Sequence, residues 1–280
     1  MIFTENQISA IILSLEKNIS PLKYSYITKK WTEAWNNIEE DRIKLWWNYA
    51  EYELLQNNIE MYLDDIWNPE EICFFDFWCW TWNTPKWMIN KLLKKGIKVN
   101  YHWFDISENI LKISKNNIGS MWKNYRYNST ILDFENFNLS NILIEIRNNY
   151  WNIPVIWMLL WNTIWNFNSI ERILINIMES FRIKDRMVIW IEKSDLNNDK
   201  RMENMINWYK SENVFNLSFS TLEYFWLKKE KWDKIKLFQS KKMNESTLTA
   251  LLLWLDFRVA STRTNLKNTF IQSMIWAKRY

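Results

Sequence analysis

Apolar positions change their spacing near residue 70. Residues 32–64 carry them at mixed helical intervals, among them Ile38, Tyr52, Leu55, Ile59 and Tyr62, and Asp64 and Asp65 close the segment. From residue 72 the pattern becomes short apolar runs bounded by turn residues: Ile72–Phe77, Ile97–Phe104, Ser129–Leu132, Ile153–Leu160 and Arg186–Ile191. Helical patterns at about 85–95, 107–116, 140–149 and 169–182 separate these runs, and such alternation predicts a parallel sheet with helices on both faces. The last of these helices has good start chemistry, with Asn168 or Ser169 as N-cap and Glu171 in the first turn. After a helix at 245–254, Phe257–Ser261 and Phe270–Lys278 read as two strands, an antiparallel hairpin at the sheet edge. The expected fold class is α/β.

Composition narrows the class without naming a chemistry. With 280 residues, 48% hydrophobic and 24% charged, the chain matches the globular average, which argues against disorder, collagen-like repeats and a disulfide scaffold. No apolar run approaches the roughly 18 residues that span a bilayer, and MIFTENQISAIILSLEKN has no basic leader before its apolar stretch. Neither a membrane span nor a signal peptide is therefore expected, and the default address is the cytoplasm. Cys73 and Cys79 fit a reducing compartment. A net charge of +4, with both signs interspersed, gives no nucleic-acid footprint, and the Lys228-Lys229-Glu230-Lys231 run reads as a solvated face.

One pair of counts stands apart. Glycine averages near 7% of residues, about 20 for a chain of this length, yet this sequence has 2 Gly and 21 Trp. Turns with φ > 0 and close backbone approaches need glycine, and Trp is too large to substitute there. The two anomalies read as one, which predicts that most written tryptophans stand where the cell places glycine, encoded by UGA in a genetic code that assigns that codon to Gly; the alternative is a truly tryptophan-rich chain.

The segment Phe74-Phe75-Asp76-Phe77-Trp78-Cys79-Trp80-Thr81-Trp82-Asn83 shows why this matters. As written, three indoles alternate in the turn after the first strand and fill the space in front of it. With glycines restored the run is F-F-D-F-G-C-G-T-G-N, a strand entering a glycine-rich turn and then a helix. Bare backbone there lets amide groups approach a ligand at the carboxyl end of a strand, where open α/β sheets bind cofactors.

Read that way, the segment resembles the first signature of class I S-adenosylmethionine-dependent methyltransferases, D-x-G-x-G-x-G, and implies cofactor contacts at Asp76, Trp78 and Trp80. Further elements follow in the family's order. His102-Trp103-Phe104-Asp105-Ile106-Ser107, ending the second strand, is similar to G-F-D-I-S, in which the acid accepts hydrogen bonds from both ribose hydroxyls; Asp105 takes that role and can also cap the next helix. Leu132-Asp133-Phe134, after the third strand, resembles the D-F pair at the adenine, with Asp133 near the exocyclic amine. Lys86 matches a family lysine near the cofactor carboxylate, with a solvated first-turn lysine as the alternative.

A second segment narrows the resemblance. Ile156-Trp157-Met158-Leu159-Leu160-Trp161-Asn162-Thr163-Ile164-Trp165-Asn166-Phe167 becomes I-G-M-L-L-G-N-T-I-G-N-F, and L-G-x-T-I-G-N-F is similar to the histidine-specific N-methyltransferases of the ergothioneine pathway. The resemblance covers roughly residues 70–215. It implies S-adenosyl-L-methionine as cofactor, a small amino acid as substrate, and substrate contacts at Asn166 and, through the Trp208-Tyr209 pair, at Tyr209. Beyond it, Phe238-Gln239-Ser240-Lys241-Lys242 supplies Ser240 as a substrate contact but no acid at the family's imidazole-reading spacing. The same resemblance implies a Rossmann-like sheet of seven strands in a methyltransferase domain at 67–280, with a short substrate-pocket insertion at about 196–244, and the N-terminal helical segment, residues 1–66, is expected to cover its cleft. The expected function is N-methylation of histidine or a similar small amino acid. The alternatives are a methyltransferase for another small molecule or a protein side chain, and a non-catalytic protein of the same fold.

Other chemistries find little material. His102 is the single histidine and reads as a structural strand residue, so histidine-based triads and metal sites are not expected. Cys73 and Cys79 are too isolated for zinc. No G-x-x-x-x-G-K-[ST] string exists even with glycines restored.

Overall fold

The structure is a computed structural model that describes residues 3–17, 22–34, 47–77, 83–118, 124–136, 138–160, 163–193, 245–265 and 271–279. Seven strands form one sheet: β1 (Glu71–Phe77), β2 (Lys98–Asp105), β3 (Tyr125–Ile131), β4 (Val155–Leu159), β5 (Arg186–Lys193), β6 (Phe257–Asn265) and β7 (Ile271–Arg279). Their order is β3-β2-β1-β4-β5-β7-β6. The first five run parallel, and β7 runs antiparallel to both β5 and β6. The expected α/β class and antiparallel terminal pair are both present.

One boundary differs from expectation. β3 begins at Tyr125 rather than Ser129. It is an edge strand, with Tyr125 and Tyr127 half-buried and Arg126 and Asn128 exposed. A half-solvated strand alternates instead of presenting an unbroken apolar run, so a search for such runs starts late.

Alternation along β1 builds two cores. Cys73, Phe75 and Phe77 face one side with the helices Leu139–Asn148, Ile170–Ser180 and Glu245–Trp254; Ile72 and Phe74 face the other with Trp47–Asp65, Asn83–Lys94 and Glu108–Ile118. Each fully buried phenylalanine stabilises the fold by roughly 1.5–3 kcal/mol. On the first face, Arg147 and Asp185 form a buried pair at 2.7 Å, and Asp185 also accepts from the Val155 and Arg182 amides. Ser169 is the N-cap of Ile170–Ser180, its hydroxyl accepting from the Arg172 amide.

Two helices on the other face end in the same turn. After Asn83–Lys94, Gly96 has φ +82°, its amide bonds Leu93, and the Ile97 amide bonds Leu92. After Trp47–Asp65, Trp67 has φ +60°, its amide bonds Asp64, and the Asn68 amide bonds Leu63. These two bonds correspond, although Asn68 is itself left-handed at φ +47°, and the left-handed position favours glycine because a Cβ there crowds its own backbone. Trp67 is 79% exposed, so its ring gains little packing in exchange. Trp276 has the opposite character: it is buried, stacks on Tyr62 at 3.9 Å and donates to Asp65 from Nε1.

The N-terminal helix Glu5–Glu16, begun by a capping box at Thr4, packs through Ile11 on Phe3 and Tyr24 and meets Ile106 just after β2. This segment therefore lies over the carboxyl end of the sheet. No helix among the described residues is long and apolar enough to cross a membrane.

Candidate active site at the carboxyl ends of the strands

The chain leaves β1 toward β2 and β3 on one side, while β4 and β5 lie on the other. The order thus reverses between β1 and β4, and open α/β sheets bind their ligands beyond the strand ends at such a point. The sequence-predicted residues Asp76, Asp105, Asp133, Phe134 and Asn166 follow or end β1, β2, β3 and β4 and are brought to this one edge. Lys86 stands half-buried in the first turn of the helix that follows β1. Trp78 and Trp80, together with Cys79 and Trp82, lie outside the described residues, as do Tyr209, Ser240 and the 196–244 segment.

Asp76 is 3% exposed on an apolar face. Burial pushes its carboxyl up to about 7, against the Tyr101 hydroxyl, which donates to Oδ2 at 2.7 Å and favours the ionised form. Asp105 is 1% exposed. Burial pushes it up to about 8; the Ser107 amide, donating to Oδ1 at 2.7 Å, opposes this shift and the nearby Asp76 carboxyl adds to it. Ser107 in turn accepts from the Ile110 amide and starts the helix Glu108–Ile118. One oxygen of Asp105 thus serves the turn, and the other, Oδ2, is buried with no hydrogen-bond partner among the described residues. A buried acceptor left unmatched costs about 1–3 kcal/mol, so this atom marks a place prepared for a donor.

Asp133 ends the β3 connection with Oδ1 on the Glu135 amide and both oxygens near Lys23 Nζ, at 3.3 and 3.0 Å. Phe134 is buried between Phe77 and Phe167. Lys23, Ile106, Asp133, Phe134, Glu135, Asn166 and Phe167 line a small, partly open cleft. Asn166 closes the 3-10 turn Thr163–Asn166 that Thr163 ties to the Leu160 carbonyl. The cleft joins an apolar wall to carboxylates and an amide, a lining suited to a planar, polar-edged ring.

Sequence reasoning gave no role to Tyr101, Lys23 or Glu135. Tyr101 lies on the same face of β2 as Trp103, inside the strand rather than at its end, and motif reading concentrates on strand ends. Lys23 lies 110 positions from Asp133, and no local signal joins them. His102, in contrast, is the strand residue expected: it is buried, meets Thr130 Oγ1 at 2.8 Å, and stacks on Phe104, and burial lowers its pKa to about 4. Among the described residues no group of three His, Cys, Asp or Glu side chains could hold a metal ion.

No protein-family model matches the chain, and no curated protein resembles it significantly. Among solved structures, a SAM-dependent methyltransferase from Anabaena variabilis ATCC 29413 is similar with a TM-score of 0.50 and 11% identity, over 90% of this chain and 94% of that one. The chain has the class I methyltransferase fold. Magnesium protoporphyrin IX methyltransferase from Synechocystis PCC 6803, solved with bound SAH, is similar at a TM-score of 0.49 and 10% identity, over 82% of this chain and 83% of that one.

Proposed function

We propose that this chain is an S-adenosyl-L-methionine-dependent N-methyltransferase acting on histidine or a similar small amino acid. The single observation that carries the cofactor assignment is Asp105 Oδ2, a buried carboxyl oxygen at the end of β2 with no hydrogen-bond partner among the described residues. Ribose hydroxyls are the donors that fit it. Asp133 Oδ2 keeps lone-pair capacity for the adenine amine beside its bond to Lys23, and Phe134 supplies an apolar wall. Asp76 and the turn at 78–82 would hold the amino-acid end of the cofactor, with Lys86 as counter-ion to its carboxylate.

The bound cofactor supplies a methyl group on a sulfonium, open to in-line displacement by a neutral amine. No strong base is needed, so the protein's contribution is alignment and exclusion of water. Asn166, on the cleft wall, orients the acceptor amine or carboxylate through its amide. Tyr209 and Ser240 serve as further substrate contacts in this reading. The N-terminal segment, packed on Ile106 and joined to Asp133 through Lys23, shields the cleft from solvent.

This function requires glycine at 78, 80 and 82. Trp67 supports that reading from elsewhere in the fold, since it occupies a turn that Gly96 occupies at the matching helix end. The acceptor rests on the L-G-x-T-I-G-N-F string and Asn166. The lack of an acid near Ser240 favours a second reading, in which another small molecule or a protein side chain accepts the methyl.

The deciding experiment compares the chain as written with Trp78→Gly/Trp80→Gly/Trp82→Gly. Calorimetry with S-adenosylhomocysteine should show binding to the glycine form and none to the written form. Histidine added to the glycine complex should then release heat and, with S-adenosylmethionine, become methylated. Heat from another amine but none from histidine moves the acceptor to the second reading. No cofactor binding by either form removes the enzyme reading altogether.

A further inference from the structure

We propose that Tyr101 is a positioning residue that fixes the Asp76 carboxylate for the cofactor turn. The inference rests on the methyltransferase reading above and assigns a role within that site to a residue that neither the motifs nor the strand ends mark. Asp76 and Phe74 share one face of β1, and that face packs against apolar side chains from β4 and from the helices Trp47–Asp65 and Asn83–Lys94. A carboxylate there has almost nothing to bond. The register pairs Phe74 with Tyr101 and Asp76 with Trp103, so Tyr101 is the diagonal neighbour of Asp76, one pair nearer the amino end of the strands. From that position the fully buried phenol reaches along the sheet and donates to Oδ2, and it is the one hydrogen-bond partner of the Asp76 carboxyl among the described residues.

The consequence is a division of labour within one carboxyl group. Oδ2 is anchored to the sheet, which leaves Oδ1 for the amino-acid end of the cofactor. A tyrosine hydroxyl is well placed for this, because its rigid ring carries the donor from a packed strand without a flexible stem. The titratable groups that reach Asp76 from the surrounding elements are the Tyr101 phenol and the Asp105 carboxyl on β2. Its neighbour across β4 is Met158, and Lys86 stands in the first turn of Asn83–Lys94. Loss of the phenol oxygen leaves the carboxyl with burial alone, which favours its neutral form further.

The test measures S-adenosylhomocysteine affinity by calorimetry from pH 5.5 to 9 in the glycine-restored chain, with and without Tyr101→Phe. Affinity of the parent should fall on the acid side near pH 7. In Tyr101→Phe the acid limb should move to higher pH, weakening binding about three- to tenfold at pH 7 and recovering toward the parent value at pH 9, where Asp76 is ionised again. A uniform loss at every pH would mean simple structural damage and overturn the proposal, as would an unchanged profile. Should Tyr101→Phe lose its fold by circular dichroism, Asp76→Asn decides: the part of the acid limb near pH 7 must disappear, and its persistence overturns the proposal. Absence of binding by the parent at all pH values instead removes the methyltransferase reading on which the inference rests.

Discussion

Lys23 Nζ lies 3.0 Å from Asp133 Oδ2 and 3.0 Å from Glu135 Oε2, joining the N-terminal segment to the far side of the cleft. Burial alone would lower the pKa of this ammonium, but the two carboxylates more than reverse the effect and raise it. Replacing Lys23 with Ala leaves two half-buried carboxylates facing each other. The expected cost is about 1 kcal/mol, between an exposed and a buried pair. Hydrogen exchange should show residues 22–34 losing protection while the strands keep theirs; unchanged exchange there would separate the latch from the order of this segment.

Asp105→Asn keeps the oxygen that serves Ser107 but replaces a charged acceptor by an amide. Charge-assisted hydrogen bonds contribute about 1.5–3 kcal/mol, so affinity for S-adenosylhomocysteine should drop roughly 10- to 100-fold. Because Asp105 titrates near 8 in the free chain, binding at neutral pH should release a proton in the parent. Calorimetry in buffers of different ionisation enthalpy would show this release shrinking in the variant.

The same groups set how stability follows pH. Asp76 and Asp105, raised to about 7 and 8, hold protons in the folded chain that the unfolded chain releases near 4. Their contribution is therefore full below 4 and lost as pH rises through 7 and 8. His102, lowered to about 4, acts oppositely and stabilises as pH climbs from 4 to 6.5. Between 4 and 6.5 the histidine offsets part of the decline, and above 6.5 the two acids act alone. Thermal unfolding should thus show a clear fall in Tm from pH 6.5 to 8.5, reduced in Asp105→Asn. A flat profile there would contradict the burial of these acids.

The buried Arg147–Asp185 pair answers to a different rule. Removal of one partner strands the other charge in the core, at a cost of about 3–5 kcal/mol. Arg147→Ala should lower the denaturant midpoint sharply and equally with or without cofactor, since the pair lies in the core formed by Leu139–Asn148 and Ile170–Ser180.

Tryptophan identity can be tested at positions remote from the cleft. Trp67→Gly relieves a left-handed conformation that costs a side chain roughly 1–2 kcal/mol and should raise Tm by a few degrees. Trp276→Gly removes a buried ring stacked on Tyr62 and a bond to Asp65, for which large-to-small precedent gives about 3–5 kcal/mol. Opposite signs are the expected outcome. Mass spectrometry of the protein from its own host should find glycine at 67 and tryptophan at 276.

Much of the sheet was legible because buried parallel strands write themselves as unbroken apolar runs, as in Ile72–Phe77. β3 reads short in the sequence because its exposed side dilutes that signal. Asp76, Asp105 and Asp133 are singled out by the resemblance to methyltransferase signatures, and the structure gathers them at one edge of the sheet because each ends or follows a parallel strand. Lys23 and Tyr101 are not singled out, since one acts across 110 positions and the other from within a strand whose pattern reports only burial.

Asp65 receives Arg186 from β5 and both Trp276 and Lys278 from β7, partners 121, 211 and 213 positions away. Nothing nearby in the chain can assemble this junction early, and long loop closures delay such contacts. The carboxylate at the end of Trp47–Asp65 therefore ties the first half of the chain to its last strand, and the Trp276 indole is a natural spectroscopic reporter of that closure.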